Sequence, residues 1–544
     1  MYHQKIFRVF IIFVALFRGC FIITGCQSAN KNDLQIFRYS ETTVISSLDP
    51  AFAKNLANIW VVHQLYNTLV ETDRNAMIIP SLAKSWQISD DKKEILFSIR
   101  NDVYFHDHPA FLMGKGRKLT ARDIEYSFSR LMDPKTASPG AWIFQGRIDS
   151  TSPFKAINDT LFLIKLKQPF VQILGVLSNK YCAIVPKEAV EYSALPFRQN
   201  PCGSGPFRFF KWEEGQKIIL KKNDDYFESD SIGKRLPYLD GIEVSLLQNK
   251  SSEFLEFRQH KFDFINDVEP NFKDEILHKN GKLKKEWEDK VVLHTGPYLN
   301  VEYLGFLMKG NQADSFLQKK EFRQAINYGI DRKKLIMYLR NSIGNAAERG
   351  FIPLGIAGYD STSAYGYRYD PEKAIQLLKQ ISFFSIHKKP FFTLSTVPAY
   401  ADLASFISKE LIKIGIELKV DVVPKSILLS QMANRQLSFF RGSWIADYPD
   451  AENFLSVFYS RNPSPPNYTR YNNTAFDLLY EKCQIETDLH ERIKLYRQMD
   501  RIVMQDAPVV PLWYDQVIHL VQPNIQGFHP HPLNLLELRR VKKL

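Results

Sequence analysis

Residues 391–422 read FFTLSTVPAYADLASFISKELIKIGIELKVDV, and they decide the fold class. The first part, ending at Thr396, is an apolar and β-branched run of strand length. Leu403, Ile407, Leu411 and Ile414 then recur every three or four residues, so they share one face of a helix, which Gly415 closes. Ile416, Leu418, Val420 and Val422 alternate with charged residues at the period of a strand. A strand, a helix and a second strand in immediate succession predict a parallel pair joined by a helical crossover.

The same mixture of periods runs outward from this unit. Ile95, Phe97 and Ile99 recur at every second position, as on the buried face of a strand. Thr120 with Asp123 predicts a helix start, Ile124, Phe128 and Leu131 its apolar face, and Asp133-Pro134 its stop. Residues 218–220 and then Ile242, Val244 and Leu246 read as further strands. Phe322, Ala325, Ile326, Gly329 and Ile330 share a helical face, and Asp331 caps the helix that follows. Asp370-Pro371-Glu372 places a cap, a proline at the first position and an acid in the first turn. The class is mixed α and β. With 544 residues and about 150 per domain, three or four domains are expected. The absence of a repeat or a low-complexity linker predicts that they are compactly joined.

The start of the chain carries a different signal. Lys5 and Arg8 precede an apolar run over residues 9–17, and Ile23-Thr24-Gly25-Cys26 leads small residues into a cysteine. The run is too short to span a membrane, which takes about 20 residues. The pattern is that of a bacterial lipoprotein signal: residues 1–25 are removed and Cys26 carries the acyl chains. Each buried CH₂ contributes roughly 0.8 kcal/mol, so two or three chains hold a protein firmly on a membrane. Cys20 is the poorer acceptor, because Arg18 stands two positions before it. Loss of Lys5, Arg8 and Arg18 takes the net charge from +12 to +9. The excess favours anionic partners, but the charges are scattered, which argues against a nucleic-acid surface. Export also removes the protein from cytosolic ATP and NAD(P)H.

Nothing in the sequence marks an enzyme. There is no GxSxG elbow, HExxH, phosphate loop of the Walker type or dinucleotide fingerprint. His106-Asp107-His108 and His529-Pro530-His531 have metal-compatible spacing but lack a third ligand nearby, so they read as turns. No cofactor is expected. Gly203-Ser204-Gly205-Pro206 reads as a tight turn, since Pro206 lacks the backbone donor that a phosphate loop uses. Cys182, Cys202 and Cys483 remain beyond the signal. A Cys182–Cys202 disulfide is open to an exported protein, but the odd count fixes no pairing.

Several segments, in order along the chain, resemble the family 5 extracellular solute-binding proteins, whose best-known members are the oligopeptide- and dipeptide-binding components of ABC importers. Ser47-Leu48-Asp49-Pro50 is similar to the family's SLDP, and residues 65–70 (LYNTLV) to the helix after it. Residues 80–86 (PSLAKSW) resemble PaLAesW, and residues 119–123 (LTARD) resemble vTAeDv. Gly203-Ser204-Gly205-Pro206-Phe207, with Trp212 and Gly215, is close to GtGPYkfkkWkpG. Residues 322–332 (FRQAINYGIDR) nearly match vRqAinyAiDR, and residues 444–450 (WIADYPD) match WgaDYpDp. The resemblance runs from about residue 35 to the end.

It implies an α/β, two-lobe periplasmic-binding-protein clam-shell of the three-domain class, with mixed sheets and flanking helices. Domain I would comprise residues 26–75, 200–297 and 517–544, domain II residues 76–199, and domain III, the second lobe, residues 298–516. Hinge closure would enclose the ligand between the lobes. The implied role is a monomeric receptor that delivers short peptides to the permease subunits of an importer. Other ligands of the same fold compete with that reading: muropeptides, glutathione, haem and nickel chelates. An envelope adhesin is the alternative from another class.

The resemblance also names residues. Asp447, the aspartate of the tryptophan-x-x-aspartate motif, would pair with the peptide's α-ammonium; its other reading is a cap in Asp-Tyr-Pro-Asp. A free ammonium in a closing cleft needs a paired anion to offset desolvation. The backbone at Ser443, Trp444 and Ile445 would pair with an extended peptide as an added strand. Trp444 would pack beside the first peptide residue or wedge the core. Arg441 would meet a carboxylate near the peptide's C-terminus or stand exposed. Trp142 lies at the implied cleft edge and would narrow the pocket. Departures from the family pattern are the basic loop Gly114-Lys115-Gly116-Arg117-Lys118 and His108 in place of a glycine.

Overall fold

The structure, a computed structural model, describes residues 34–149, 151–268, 270–309, 316–385 and 392–544. The signal segment and Cys26 lie outside the described residues. Residues 1–35 and residues 36–544 are separate units, and the fold is that of the second. Among the described residues no helix is long and apolar enough to cross a membrane.

The strand–helix–strand unit forms as its periodicity predicts. Phe392–Thr396 pairs in parallel with Leu418–Val422, from Phe392 opposite Leu418 to Thr396 opposite Val422. The crossover helix is Ala401–Ile412, and it buries Leu403, Ile407 and Leu411. Leu418–Val422 is the outermost strand of its sheet, so Val422 is exposed despite the alternating pattern. The other local signals hold as well. Thr120 and Asp123 form a capping box on Ala121–Met132, Asp331 caps Arg332–Arg340, and Asp370 caps Pro371–Gln380.

These elements join one 11-stranded sheet among the described residues. In spatial order it runs Leu418–Val422, Phe392–Thr396, Phe439–Ile445, Val292–Phe306, Val509–Val521, Phe264–Asn266, Ile36–Glu41, Gly241–Leu246, Lys217–Lys222 and Phe207–Glu213, with Asn345–Ala346 added to Val509–Val521. A separate four-stranded antiparallel sheet is built from residues 83–165. Val292–Phe306 and Val509–Val521 are the two long strands, and they pair along nearly their whole length. Their lower halves face strands of residues 264–266, and their upper halves face strands of residues 439–445 and 345–346. Between the halves the register slips, from Pro297 opposite Gln516 to Val301 opposite Tyr514.

Hydrophobic packing divides along the same line. One cluster gathers residues 37–264 with the tail residues 521–541, the buried residues of two others come from residues 299–514, and a fourth joins residues 254–291 to Ile343, Ile518 and Leu520. Tyr448 is an exception, since its ring joins the first cluster from the far side.

The segments that stand out in the sequence are mostly packing devices. Asp49 takes Arg130 in a two-pronged ion pair at 2.5 and 3.0 Å and also accepts from the Ala51 N–H. Arg323 donates to the carbonyls of Leu317, Gln318, Asp506 and Ala507. Arg332, fully enclosed, donates to the Pro511 and Asn327 carbonyls, and burial brings its pKa down to about 10. The glycines of Gly203-Ser204-Gly205 let this turn press on the end of the helix Leu56–Leu65. A Cβ at Gly203 would stand 2.0 Å from the Leu65 carbonyl oxygen, and at Gly205 2.4 Å from the Leu65 carbonyl carbon. His106 Nε2 donates to the Gly205 carbonyl at 2.9 Å, and burial lowers its pKa to about 4, so it is a neutral structural group. His108 and His531 also have protein partners.

Cys182, Cys202 and Cys483 are free and buried, so the disulfide left open by the sequence is not formed. The basic loop is neutralised where it lies: Lys115 pairs with Asp107 at 2.9 Å, and Arg117 bridges Asp123 and Glu188 at 2.6 and 2.7 Å.

Gly203→Ala should therefore cost about 3 kcal/mol, because the clash is with backbone that cannot rotate away. Gly175→Ala is the control, since its Cβ would meet Tyr448 at an ordinary 3.6 Å. Thermal unfolding of the two variants checks the difference; equal midpoints would refute it.

Candidate ligand cleft

The strand Phe439–Ile445 lies antiparallel to Val292–Phe306, with Ile445 opposite Asn300 and Arg441 opposite Leu304. Alternation sends Arg441, Ser443 and Ile445 to one face and Trp444 to the other. Past Ile445 the Ala446 N–H donates to the Leu299 carbonyl at 2.8 Å, and the chain turns into the helix Ala451–Leu455. The cap of that helix is Asp450, which accepts from the Glu452 N–H at 2.9 Å. Asn453 is buried, and its Oδ1 accepts both from Trp444 Nε1 at 3.0 Å and from the Asp447 N–H at 3.2 Å. One amide thus fixes the tryptophan ring and the aspartate backbone together.

Asp447, Trp444 and Trp142 line a cavity of about 580 Å³ that draws on both sides of the register slip. Trp142 and Arg147 come from the first side, and Trp444, Asp447, Tyr448 and Glu452 from the second. The two sides touch beside it. Asn179 Nδ2 donates to the Asp447 carbonyl, the Val171 N–H to the Gln484 carbonyl and Gln172 Nε2 to Tyr496 Oη, each at 3.3 Å.

The Asp447 side chain is exposed at the cavity mouth, with the cavity walls around it. That enclosure raises its pKa to about 6, held from going higher by hydrogen bonding to Asn453 and by the positive charge of Arg147. Glu452 is fully buried, its carboxyl pKa is raised by burial, and it accepts from the hydroxyls of both Tyr448 and Tyr480. The cavity therefore has an acidic wall with aromatic faces on either side.

Arg441 stands elsewhere. Its Nε donates to Glu302 Oε2 at 2.8 Å, its Nη2 reaches the same oxygen, and its guanidinium lies 3.6 Å from the centre of the Tyr400 ring. Ser443 is half-buried on the same face, and Ile445 is exposed. None of the three is among the cavity's lining residues. The sequence reading missed Arg147, Asn453 and Glu302. Asn453 follows the Asp450 cap and was findable as a buried polar residue in a helix; Arg147 and Glu302 leave no local signal.

Residues 77–465 match the family described as "Bacterial extracellular solute-binding proteins, family 5 Middle". The chain belongs to this family. Among curated relatives, Heme-binding protein A of Haemophilus influenzae is 27% identical over 487 residues, covering 86% of this chain and 85% of its own. The dipeptide-binding protein of Escherichia coli is 25% identical over 493 residues, covering 86% and 87%. Among solved structures, the ABC transporter-associated periplasmic binding protein DppA of Helicobacter pylori, in complex with peptide STSA, aligns with a TM-score of 0.74 at 26% identity, covering 93% of this chain and 98% of that one. The family fold is the two-lobe α/β architecture described above, and its members bind solutes for transport.

A ligand held through an ammonium needs Asp447 ionised. With its pKa raised to about 6 before binding, affinity for such a ligand should fall as pH drops through that value, and binding near pH 6 should release about half a proton. Calorimetry in buffers of different ionisation enthalpy reads the proton directly; heats independent of buffer would exclude the linkage. Separately, Arg441→Met strands the Glu302 carboxylate, which is 1% exposed, and should cost about 3–5 kcal/mol in urea unfolding. Adding Glu302→Gln should recover most of that loss.

Proposed function

We propose that this protein is the peptide-capturing receptor of an ABC importer. It is exported, held on the membrane by acyl chains on Cys26, and acts as a monomer outside the cytoplasmic membrane. Asp447 carries the reading: an acid fixed by its backbone, reachable from the cavity and, among the described residues, without a cation in contact, placed where two lobes meet. The α-ammonium of a peptide supplies the missing charge. Trp444 and Trp142 flank the first residue, and the backbone of Ser443 to Ile445 pairs with the extended peptide, as strand addition requires no particular side chains. Arg441 keeps Nη1 outside its pairing with Glu302, and a carboxylate further along the peptide would meet that edge.

The lobes in this reading are residues 26–297 with 517–544, containing domains I and II, and residues 298–516, domain III. The hinge is the register slip at residues 297–301 and 514–516 of the two long strands. Closure over a ligand presents a joined surface to the permease, and ATP is hydrolysed by another subunit. The protein itself makes and breaks no bond. The relative named for haem supports a second reading, in which the cavity takes a large planar anion between Trp142 and Trp444.

Mass spectrometry of what the full-length protein carries from cells, in detergent and then denatured, tests the reading. Short peptides present with the wild type and absent with Asp447→Ala are expected. Haem or another single species, or a cleft that stays empty when peptides are added, would overturn it. The anchor is tested in parallel: incorporation of labelled fatty acid should vanish in Cys26→Ser.

A further inference from the structure

The cavity holds a second charge that the Asp447 reading leaves unused. Arg147 follows the short helical turn Pro139–Ile143 on the first lobe. Its Nη1 donates to the Ile143 carbonyl at 3.0 Å and the Trp142 carbonyl at 3.3 Å. Its guanidinium lies 4.6 Å from the centre of the Phe170 ring and 5.7 Å from that of Trp142. The side chain is therefore held in one pose before any ligand arrives, which lowers the entropy lost on binding. Among the described residues, those two carbonyls are its hydrogen-bond partners, so Nε and Nη2 keep their donors for another group. Arg147 lines the same cavity as Asp447 and Glu452; among the described residues it forms an ion pair with neither, and its charge lowers the pKa of both.

We infer that the cleft selects ligands with a carboxylate close to the free ammonium: Asp447 reads the ammonium from the second lobe, and Arg147 reads the carboxylate from the first. The inference rests on the peptide reading and narrows it. The physical argument is the cost of closure. Closing the lobes takes water from a guanidinium with two unused donors, which is unfavourable unless an anion meets it. A planar fork with its edge toward the cavity suits a carboxylate bound at two points. The tryptophan faces between the charges cover the apolar stem joining the ligand's two ionic groups. Two sources supply that chemistry: the side chain of an acidic first residue, or the terminal carboxylate of a dipeptide.

Four peptides separate them on the full-length protein in detergent: Ala-Ala, Ala-Ala-amide, Glu-Ala-amide and Gln-Ala-amide, each titrated by calorimetry. At least one acid should bind about 30-fold or more tightly than its neutral counterpart, the fold-change for losing one partner of an enclosed charge pair. A preference for Glu-Ala-amide over Gln-Ala-amide identifies the side chain, and for Ala-Ala over Ala-Ala-amide the terminus. Arg147→Met should bring the acid-to-amide ratio to about one, since no fork remains to pair with the carboxylate. Arg147→Lys should keep part of the preference, and both variants should melt near the wild type. An acid-to-amide ratio near one in the wild type, or one that survives Arg147→Met, overturns the inference and leaves the peptide reading standing. Failure of all four to bind the wild type overturns both.

Discussion

The backbone ladder between Val292–Phe306 and Val509–Val521 carries everything else. At one end Val521 joins the core of residues 37–264, and Leu293, Ile518 and Leu520 pack with residues 254–291; at the other end both strands pack within residues 299–514. The chain passes from one side to the other through these two strands. A ladder of hydrogen bonds resists stretching and shear, but it bends where pairs are missing. Here pairing lapses between Pro297 and Val301, and Pro297 cannot donate to a ladder in any case. A second irregularity follows between Glu302 and Tyr303, so the ladder is interrupted beside Val301, which stands opposite Trp444 of the cavity wall.

Charge is handled in two contrasting ways. Away from the cavity, several buried arginines are matched to carboxylates or carbonyls. Arg539 ties the C-terminal tail to the first side through Glu71, Glu228 and Glu537 at 2.6, 2.6 and 2.8 Å. Arg323 and Arg332 spend their donors on carbonyls, and Arg441 is matched to Glu302. Such groups stabilise by leaving nothing unpaired, and removing one partner exposes the cost of the other. At the cavity the pattern reverses. Asp447 and Arg147 are each fixed by neutral groups, Asn453 in one case and two backbone carbonyls in the other, and among the described residues neither has its opposite charge in contact. Positioning without neutralisation is what a site for a charged ligand requires.

Local features were legible in the sequence. Thr120 with Asp123, Asp331 and Asp370 cap the helices they announce, and residues 392–422 fold as their periods direct, because caps and faces depend on neighbours within a turn or two. The family motifs were legible too, but most proved to be packing devices: Gly203 and Gly205 fit against Leu65, and Asp49 receives Arg130. What the sequence withheld is long-range. Nothing near residue 147 indicates that it will face residue 447, since the fold alone brings them together. Arg441 illustrates the converse. Its place three residues before Trp444 carries the family resemblance, but nothing near it in the sequence announces Glu302, which pairs with it from the neighbouring strand.

The contacts that join the two sides beside the cavity are modest. Three hydrogen bonds at 3.3 Å lie at the long end of the useful range, and Lys92 with Thr487 at 2.9 Å is at the surface. Tyr448, lodged in the first side's core, adds an apolar contact beside the cavity. Contacts of this kind favour the joined arrangement by little, and the two cavity charges oppose it while they are unmatched. A ligand that neutralises both removes the opposing term and adds its own contacts, so it binds the joined arrangement with far greater affinity than the parted one. Only such a difference shifts a conformational equilibrium. On the proposed reading, the unmatched charges of the cleft make closure depend on the ligand, and a receptor whose joined surface reports occupancy needs that dependence.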